Sequence, residues 1–285
     1  MDAARARRAV QAAMSTATSL GLTVDDVVVL SDSNRLVVRL TPCDIVARVT
    51  PMTHFASAER EVELVKQLAR TDSAVAALDA RVEPRVFVGD GFKITMWTYY
   101  EPVRSRVLPP ADYAQALERL HAGLRQLEVT APHFTDRVAA TRRDVASRHA
   151  TPELADADRE LLANTLRDLG RSIVDRRAPE QLLHGEPHPG NVLDTKSGPL
   201  FVDFENTAEG PVEYDLAWVP EEVGRLCPHA DEDLVGDCRG LVLAIIATHR
   251  WSRDDQHPSG RRSGFAFLDA LRDGPPWPAL DDVSW

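Results

Sequence analysis

Three side chains in the middle of the chain could do chemistry together. "HGEPHPGN", residues 184–191, holds a carboxylate (Glu186), an amide (Asn191) and two imidazoles. Its two prolines and two glycines leave no room for a regular helix, so the stretch reads as a rigid loop. Downstream, "NVLD" and "LFVD" are short strand-like segments around "TKSGP", and the second ends on Asp203. Gly198 and Pro199 favour a turn there, and a ribbon folded about Ser197 sets Asn191 opposite Asp203. An amide oxygen beside a carboxylate is a hard-oxygen pair suited to Mg²⁺, which keeps several waters and takes other ligands from phosphates. Glu186, on the bend before them, is placed to orient an attacking hydroxyl. That combination is the chemistry of phosphoryl transfer.

Other chemistries fit the same residues less well. His184 and His188 are four apart, a zinc-gripping spacing on a helix, but the prolines remove the helix. No GxSxG motif accompanies them to suggest a hydrolase. The pattern GxxxxGK[ST] is absent as well, so a nucleotide site would have to be kinase-like.

The elements that must hold these residues alternate in type. "VVVL", "RLVVRL" and "DIVARV" are β-branched strands, with "TPCD" as a turn, and "RVFVG" and "FKITMWTYY" flank the turn at "GDG". Between the two groups, "FASAEREVELVKQLAR" reads as a helix with Leu64, Val65 and Leu68 on its apolar face. Glu61 shares that face, whereas Glu59 and Glu63 fall off it. After Pro102 the chain becomes mainly helical. "DYAQALERLHAGLRQLE" carries Tyr113, Leu117, Leu120, Leu124 and Leu127 at helical spacing. "TPELADADRELLANTLRDLGRSIVD" offers Thr151 as N-cap and a stripe of Leu162, Leu166, Leu169 and Ile173. Helices are expected to about Asp273, with a loop-like tail.

Taken together, "LLHGEPHPGNVL" and "FVDFENTAEGPVEYDLAWV" resemble the catalytic loop, metal-binding segment and following helix of the aminoglycoside phosphotransferase and choline-kinase-like small-molecule kinases. The match is specific over residues 184–218 and extends more weakly through "ALERLHAGL" and the order of elements. It implies an α+β, bilobal protein-kinase-like fold: an N-terminal antiparallel sheet with a helix over 1–100, and a larger, mainly helical lobe over 101–285. By position, it implies that Glu186 is the catalytic carboxylate and that Asn191 and Asp203 hold Mg²⁺. His188 would lie near the transferred group, and His184 and Asp215 would be scaffold, with Asp215 bonded to the backbone of the catalytic loop. ATP, or another nucleoside triphosphate, would sit on the N-terminal lobe under Arg48, which Glu61 would pair. Ser33 and Asn34 would cover the phosphates, and the backbone of Thr98, Tyr99 and Tyr100 would read the adenine edge, although those aromatics also suit a core. His121 reads as a buried packing residue.

The chain departs from the family at two places. The phosphate-covering loop "SDSNRL" has no glycine to let backbone amides approach phosphate, and it adds Asp32. Glutamate also stands at 186 where the family has aspartate, moving the carboxylate by about one C–C bond in a reaction where a misplacement of about 1 Å can cost about a hundredfold. Two alternatives therefore stand beside a kinase of amine-bearing antibiotics: a kinase of choline- or sugar-like metabolites, and a silent nucleotide-binding relative.

Composition narrows the partners. The formal charge of −11 argues against nonspecific nucleic-acid binding and suits a cationic small molecule. Glu205, Glu221 and Glu222 are candidates to meet it, the acidic stretch "WVPEEVGRLCPHADEDL" being otherwise a solvated face. No apolar run is long enough to span a membrane. Three scattered cysteines fit reduced thiols in a cytoplasm. The arginine-bearing N-terminus loosely resembles an organelle-targeting peptide but reads as the first helix of the domain.

Overall fold

A computed structural model describes residues 3–32, 35–52, 57–103, 108–255, 257 and 259–283; Ser33 and Asn34 lie outside these. Helix α1 (Ala3–Ser19) leads into strands β1 (Val24–Asp32), β2 (Leu36–Pro42) and β3 (Ile45–Pro51), then helix α2 (Ser57–Leu68) and strands β4 (Phe87–Gly89) and β5 (Phe92–Thr98). Helices α3 (Pro110–Leu124), α4 (Phe134–Ala146) and α5 (Asp156–Asp175) follow. Short strands β6 (Glu180–Leu183), β7 (Val192–Thr195), β8 (Gly198–Phe201) and β9 (Ala208–Pro211) precede helices α6 (Val212–Leu216), α7 (Glu221–Gly224), α8 (Glu232–Arg250) and α9 (Gly260–Asp273).

The chain forms two compact units. The first comprises Met1–Leu108, Glu118–Leu127 and Val192–Asn206, so it reaches beyond the sequence-based boundary at residue 100; the second holds the rest. In the first, an antiparallel sheet runs in the order β1-β2-β3-β5-β4. Strict alternation gives β2 and β3 two faces. Leu36, Val38, Leu40, Ile45, Ala47 and Val49 pack with Ile94 and Met96 beneath Ala9, Ala12, Ala13 and Ala17 of α1. The opposite face carries Arg48, Trp97 and Lys93 toward α2, whose Leu64, Val65 and Leu68 are buried. Glu61 is buried with them. Glu59, expected off the stripe, also reaches the sheet: Lys93 Nζ lies 2.7 Å from its Oε1.

In the second unit, α8 is buried on nearly every side, as an apolar sequence such as "LVLAIIA" requires. It packs with Leu162, Leu166 and Ile173 of α5 and Phe267, Leu268 and Leu271 of α9. Helix α5 begins at Asp156 rather than at Pro152. Thr151 caps no helix, because Arg159 binds both its Oγ1 and its carbonyl at 2.9 Å and holds the preceding segment in turns. No described helix is long and apolar enough to cross a membrane.

Candidate active site

In the second unit the loop after β6 is held by its backbone. The Asp215 carboxylate, fully buried at the end of α6, accepts from His184 N at 3.0 Å and Gly185 N at 2.8 Å. Gly185 sits at φ 87°, a conformation side chains other than glycine resist. His184, also fully buried, accepts from Glu186 N through Nδ1 at 3.3 Å, and Tyr113 of α3 donates its hydroxyl to the Pro187 carbonyl. At Gly190 a Cβ would lie 2.8 Å from the His188 ring, so a larger residue there would have to push that ring aside. Asn191 donates through Nδ2 to the Glu186 carbonyl at 2.9 Å, which leaves Oδ1 as the ligand atom it can offer a cation.

The Glu186 carboxylate is paired with Arg137 of α4, and each side chain is 19% exposed. The Arg137 guanidinium lies 5.1 Å from the Trp218 ring centroid, and the His188 ring lies 6.2 Å from the same indole. Burial drives the Glu186 carboxyl upward, but Arg137, aided by His188 and His249, outweighs it and holds the group below the ordinary glutamate value. His249, near the end of α8, is lowered to about 4 by burial and by Arg137, against the opposing pull of Glu186. It is therefore neutral at pH 7. A neutral imidazole and a guanidinium thus flank a carboxylate that stays ionised.

In the first unit a second constellation gathers on the sheet face under α2. Arg48 Nη1 lies 2.6 Å from Glu61 Oε1, and Phe204 N donates to the same oxygen at 3.0 Å. Arg48 Nη2 is 3.5 Å from Asp203 Oδ1. Asp203 itself has φ 72°, the left-handed region that costs a non-glycine residue energy and recurs at functional positions. Arg35, just before β2, places Nη2 2.7 and 2.8 Å from the two Asp203 oxygens and 2.7 Å from Glu205 Oε2. The oxygens are hard donors, and a cation already stabilises the point where they converge, so Asp203 and Glu205 suit Mg²⁺. Among the described residues no three His, Cys, Asp or Glu side chains form a metal site by themselves.

The hairpin register differs from the sequence expectation. Val192 pairs with Phe201 and Thr195 with Gly198, so the turn holds Lys196 and Ser197 and Asn191 and Asp203 are not register partners. Thr195 Oγ1, donating to Gly198 O at 2.7 Å, closes this tighter turn. The suggested adenine-reading segment is partly engaged already. Thr98 N donates to Ala77 O at 3.0 Å, and Tyr100 accepts through its hydroxyl from Ala77 N at 3.2 Å. Arg39 stacks 3.8 Å from the Tyr99 ring centroid. Among the acids proposed for substrate, Glu221 pairs with Arg225, and Asp231 caps α8 by accepting from Leu234 N at 3.0 Å. A cavity of about 700 Å³ there is lined by Glu221 and Asp237 but also by Arg176, Arg225 and Arg239, so it is not a purely acidic cradle. Along α8, Asp237 lies about 18 Å from His249, at 1.5 Å per residue. Glu222 is exposed. Arg35, Arg137 and His249 carried no motif that would single them out in the sequence.

Comparison with known proteins agrees with this geometry. The family model described as "Phosphotransferase enzyme family" matches residues 19–237. No curated protein matches the chain in sequence. Among solved structures, amicoumacin kinase in complex with AMP-PNP, Ca²⁺ and Ami is 13% identical, with 93% of this chain and 94% of that one covered and a TM-score of 0.67. Spectinomycin phosphotransferase with ADP and spectinomycin is 13% identical, covering 92% and 93%, at 0.61. The choline kinase LicA from Streptococcus pneumoniae is 14% identical, covering 91% and 97%, at 0.62. At these identities the likeness speaks for the protein-kinase-like fold, and the family model speaks for the chemistry. The chain belongs to the phosphotransferase enzyme family, as a small-molecule kinase that acts on a hydroxyl group.

Proposed function

We infer that this kinase transfers the terminal phosphoryl group of ATP, with Mg²⁺, to a hydroxyl of an amine-bearing small molecule of the antibiotic type, in the cytoplasm. The observation that carries the reading is the Arg48–Glu61 pair beside Asp203. Arg48 holds the α- and β-phosphates, and Glu61 fixes its guanidinium. Asp203 and Glu205 would hold Mg²⁺, which when bound neutralises phosphate charge. Glu186 orients the acceptor hydroxyl and takes its proton; a loose transition state asks little of a base, so glutamate suffices where it is held still. Asp215 and His184 keep the loop in shape, and His188 steadies it by donating from its backbone to Glu186 O at 2.8 Å.

The amine-bearing substrate is supported by the charge of −11 and by relatives whose complexes contain amicoumacin-type and spectinomycin ligands. The choline kinase among the relatives keeps a choline- or sugar-like acceptor as the second reading. The Glu186–Arg137 pair keeps a silent relative as the third, since a carboxylate engaged by a guanidinium is a weaker base. ³¹P NMR of ATP with Mg²⁺ and a panel of aminoglycosides, other amine antibiotics, choline and sugar alcohols tests all three. A new phosphate ester with an amine antibiotic is the expected result. Turnover of choline or a sugar alone moves the substrate class. Nucleotide binding with no ester from any acceptor leaves the silent relative.

A further inference from the structure

The arginine on the proposed metal carboxylate is not placed as an ordinary salt bridge. A guanidinium normally meets a carboxylate fork to fork, with two nitrogens on two oxygens. Arg35 instead sets one atom, Nη2, at 2.7 and 2.8 Å from both oxygens of Asp203 and at 2.7 Å from Glu205 Oε2. Three oxygens from two acids surround one cationic nitrogen, which is how a metal ion is held. Asp203, Glu205 and Glu61 gather three negative charges against two from Arg35 and Arg48. The Arg35 side chain is only 11% exposed, so solvent does little to stabilise these acids in its place.

We propose that Arg35 is the resident counter-ion of the cation site and a nucleotide-phosphate ligand, exchanging the first role for the second when Mg²⁺ and nucleotide arrive. This rests on the kinase reading of the site. Mg²⁺ needs oxygens at about 2.0–2.1 Å, so it cannot occupy the point where these oxygens converge while Nη2 stands there at 2.7 and 2.8 Å. The displaced guanidinium stays charged at any accessible pH and needs a new anion. Its backbone is tethered beside Leu36, which pairs with Asp32 on one side and Val49 on the other. The anion delivered beside it is the phosphate chain. The sequence over residues 31–36 has no glycine to let amides cradle phosphate, and Arg35 supplies donors through a side chain instead.

The test uses the full chain and needs no turnover. Mn²⁺ binding without nucleotide is measured by electron paramagnetic resonance, and adenosine and Mg·ADP binding by calorimetry, for the unaltered chain, Arg35→Gln and Arg35→Lys. Removing a like charge from beside a divalent cation should tighten Mn²⁺ about tenfold in Arg35→Gln. The same variant should bind Mg·ADP about tenfold more weakly, with adenosine affinity unchanged because adenosine has no phosphate to lose. Arg35→Lys, which keeps the charge on a shorter arm, should lie between and serves as the deciding variant should the glutamine chain fail to fold. Mn²⁺ affinity unchanged or weaker in both variants overturns the counter-ion role. Equal losses for adenosine and Mg·ADP, or no loss for either, overturn the hand-over to phosphate. An unaltered chain that binds no Mg·ADP overturns the kinase reading and this inference with it, an outcome distinct from the others.

Discussion

Each unit carries one carboxylate on which the chemistry would turn, and each sets an arginine on it. In the first unit Arg35 reaches Asp203 with a single nitrogen that it also offers to Glu205. In the second, Arg137 pairs with Glu186 and lies against Trp218. Exposure does not separate the two arginines: their side chains are 11% and 19% exposed. Replaceability does. A divalent cation suits the oxygens gathered around Arg35, whereas Arg137 meets one carboxylate against the Trp218 indole, which offers an ion no oxygen ligand. The same ion-pair chemistry serves as a removable plug in one unit and as a fixed brace in the other.

The comparison breaks most sharply at the carboxylates. Asp203→Ala removes the main cation ligand, and because bound metal supplies several kcal/mol of transition-state stabilisation, kcat should fall by about 10⁴-fold. Added Mg²⁺ should not recover it; recovery in a titration of rate against Mg²⁺ would move the metal site elsewhere. Glu186→Gln keeps size and removes the base, for an expected loss of about 10²–10³-fold in kcat with nucleotide affinity held. A rate within a factor of about three of the unaltered chain would remove Glu186 from the chemistry and leave positioning alone to explain turnover.

Stability sharpens the contrast between plug and brace. Arg137→Met leaves the Glu186 charge without its partner in a largely enclosed place, and should cost about 3 kcal/mol in urea unfolding, less than a fully buried pair because solvent still reaches it. Divalent cations should return none of that loss. In Arg35→Gln they should return most of it, because binding to the folded chain alone stabilises by mass action. Equal behaviour of the two variants toward Mn²⁺ would erase the distinction.

The legible parts of the molecule were those with a strong period or a strong motif. The β-branched runs "RLVVRL" and "DIVARV" marked the strands, and the resemblance, not alternation, singled out Arg48 on the second of them. The helical stripe of Leu64, Val65 and Leu68 picked Glu61 over its acidic neighbours, and Arg48 is indeed 2.6 Å from it. Helix α4 was not legible. Its buried stripe is Phe134, Val138, Thr141 and Val145, diluted by a threonine, and its N-cap is His133, outside the usual capping residues. Arg137 rides on that helix, so the partner of Glu186 stayed hidden with it. The hairpin lies one residue off the symmetric expectation because the two-residue turn at Lys196–Ser197, closed by Thr195 Oγ1 on Gly198 O, sets the register. Arg35 was invisible for another reason: long-range charge pairing leaves no local pattern.

The smallest effect concerns the neutral histidine beside the brace. His249 titrates near 4 when folded and near its ordinary 6.5 when unfolded, so the unfolded chain binds the extra proton first. Stability should therefore fall as pH drops from 6.5 toward 4 and lose nothing further to this group below that. Between pH 7 and pH 5 the loss should be about 2 kcal/mol, read from urea unfolding at the two values. Glu186 acts in a different window. Its folded carboxyl lies below the ordinary value, so its contribution is present above that value and is lost only as pH falls through the depressed one. The two groups can thus be told apart on one curve, and His249→Asn should flatten the upper part while leaving the lower part in place. An upper slope that survives this substitution would mean that another group takes up the proton, and that Arg137 and burial do not hold His249 neutral.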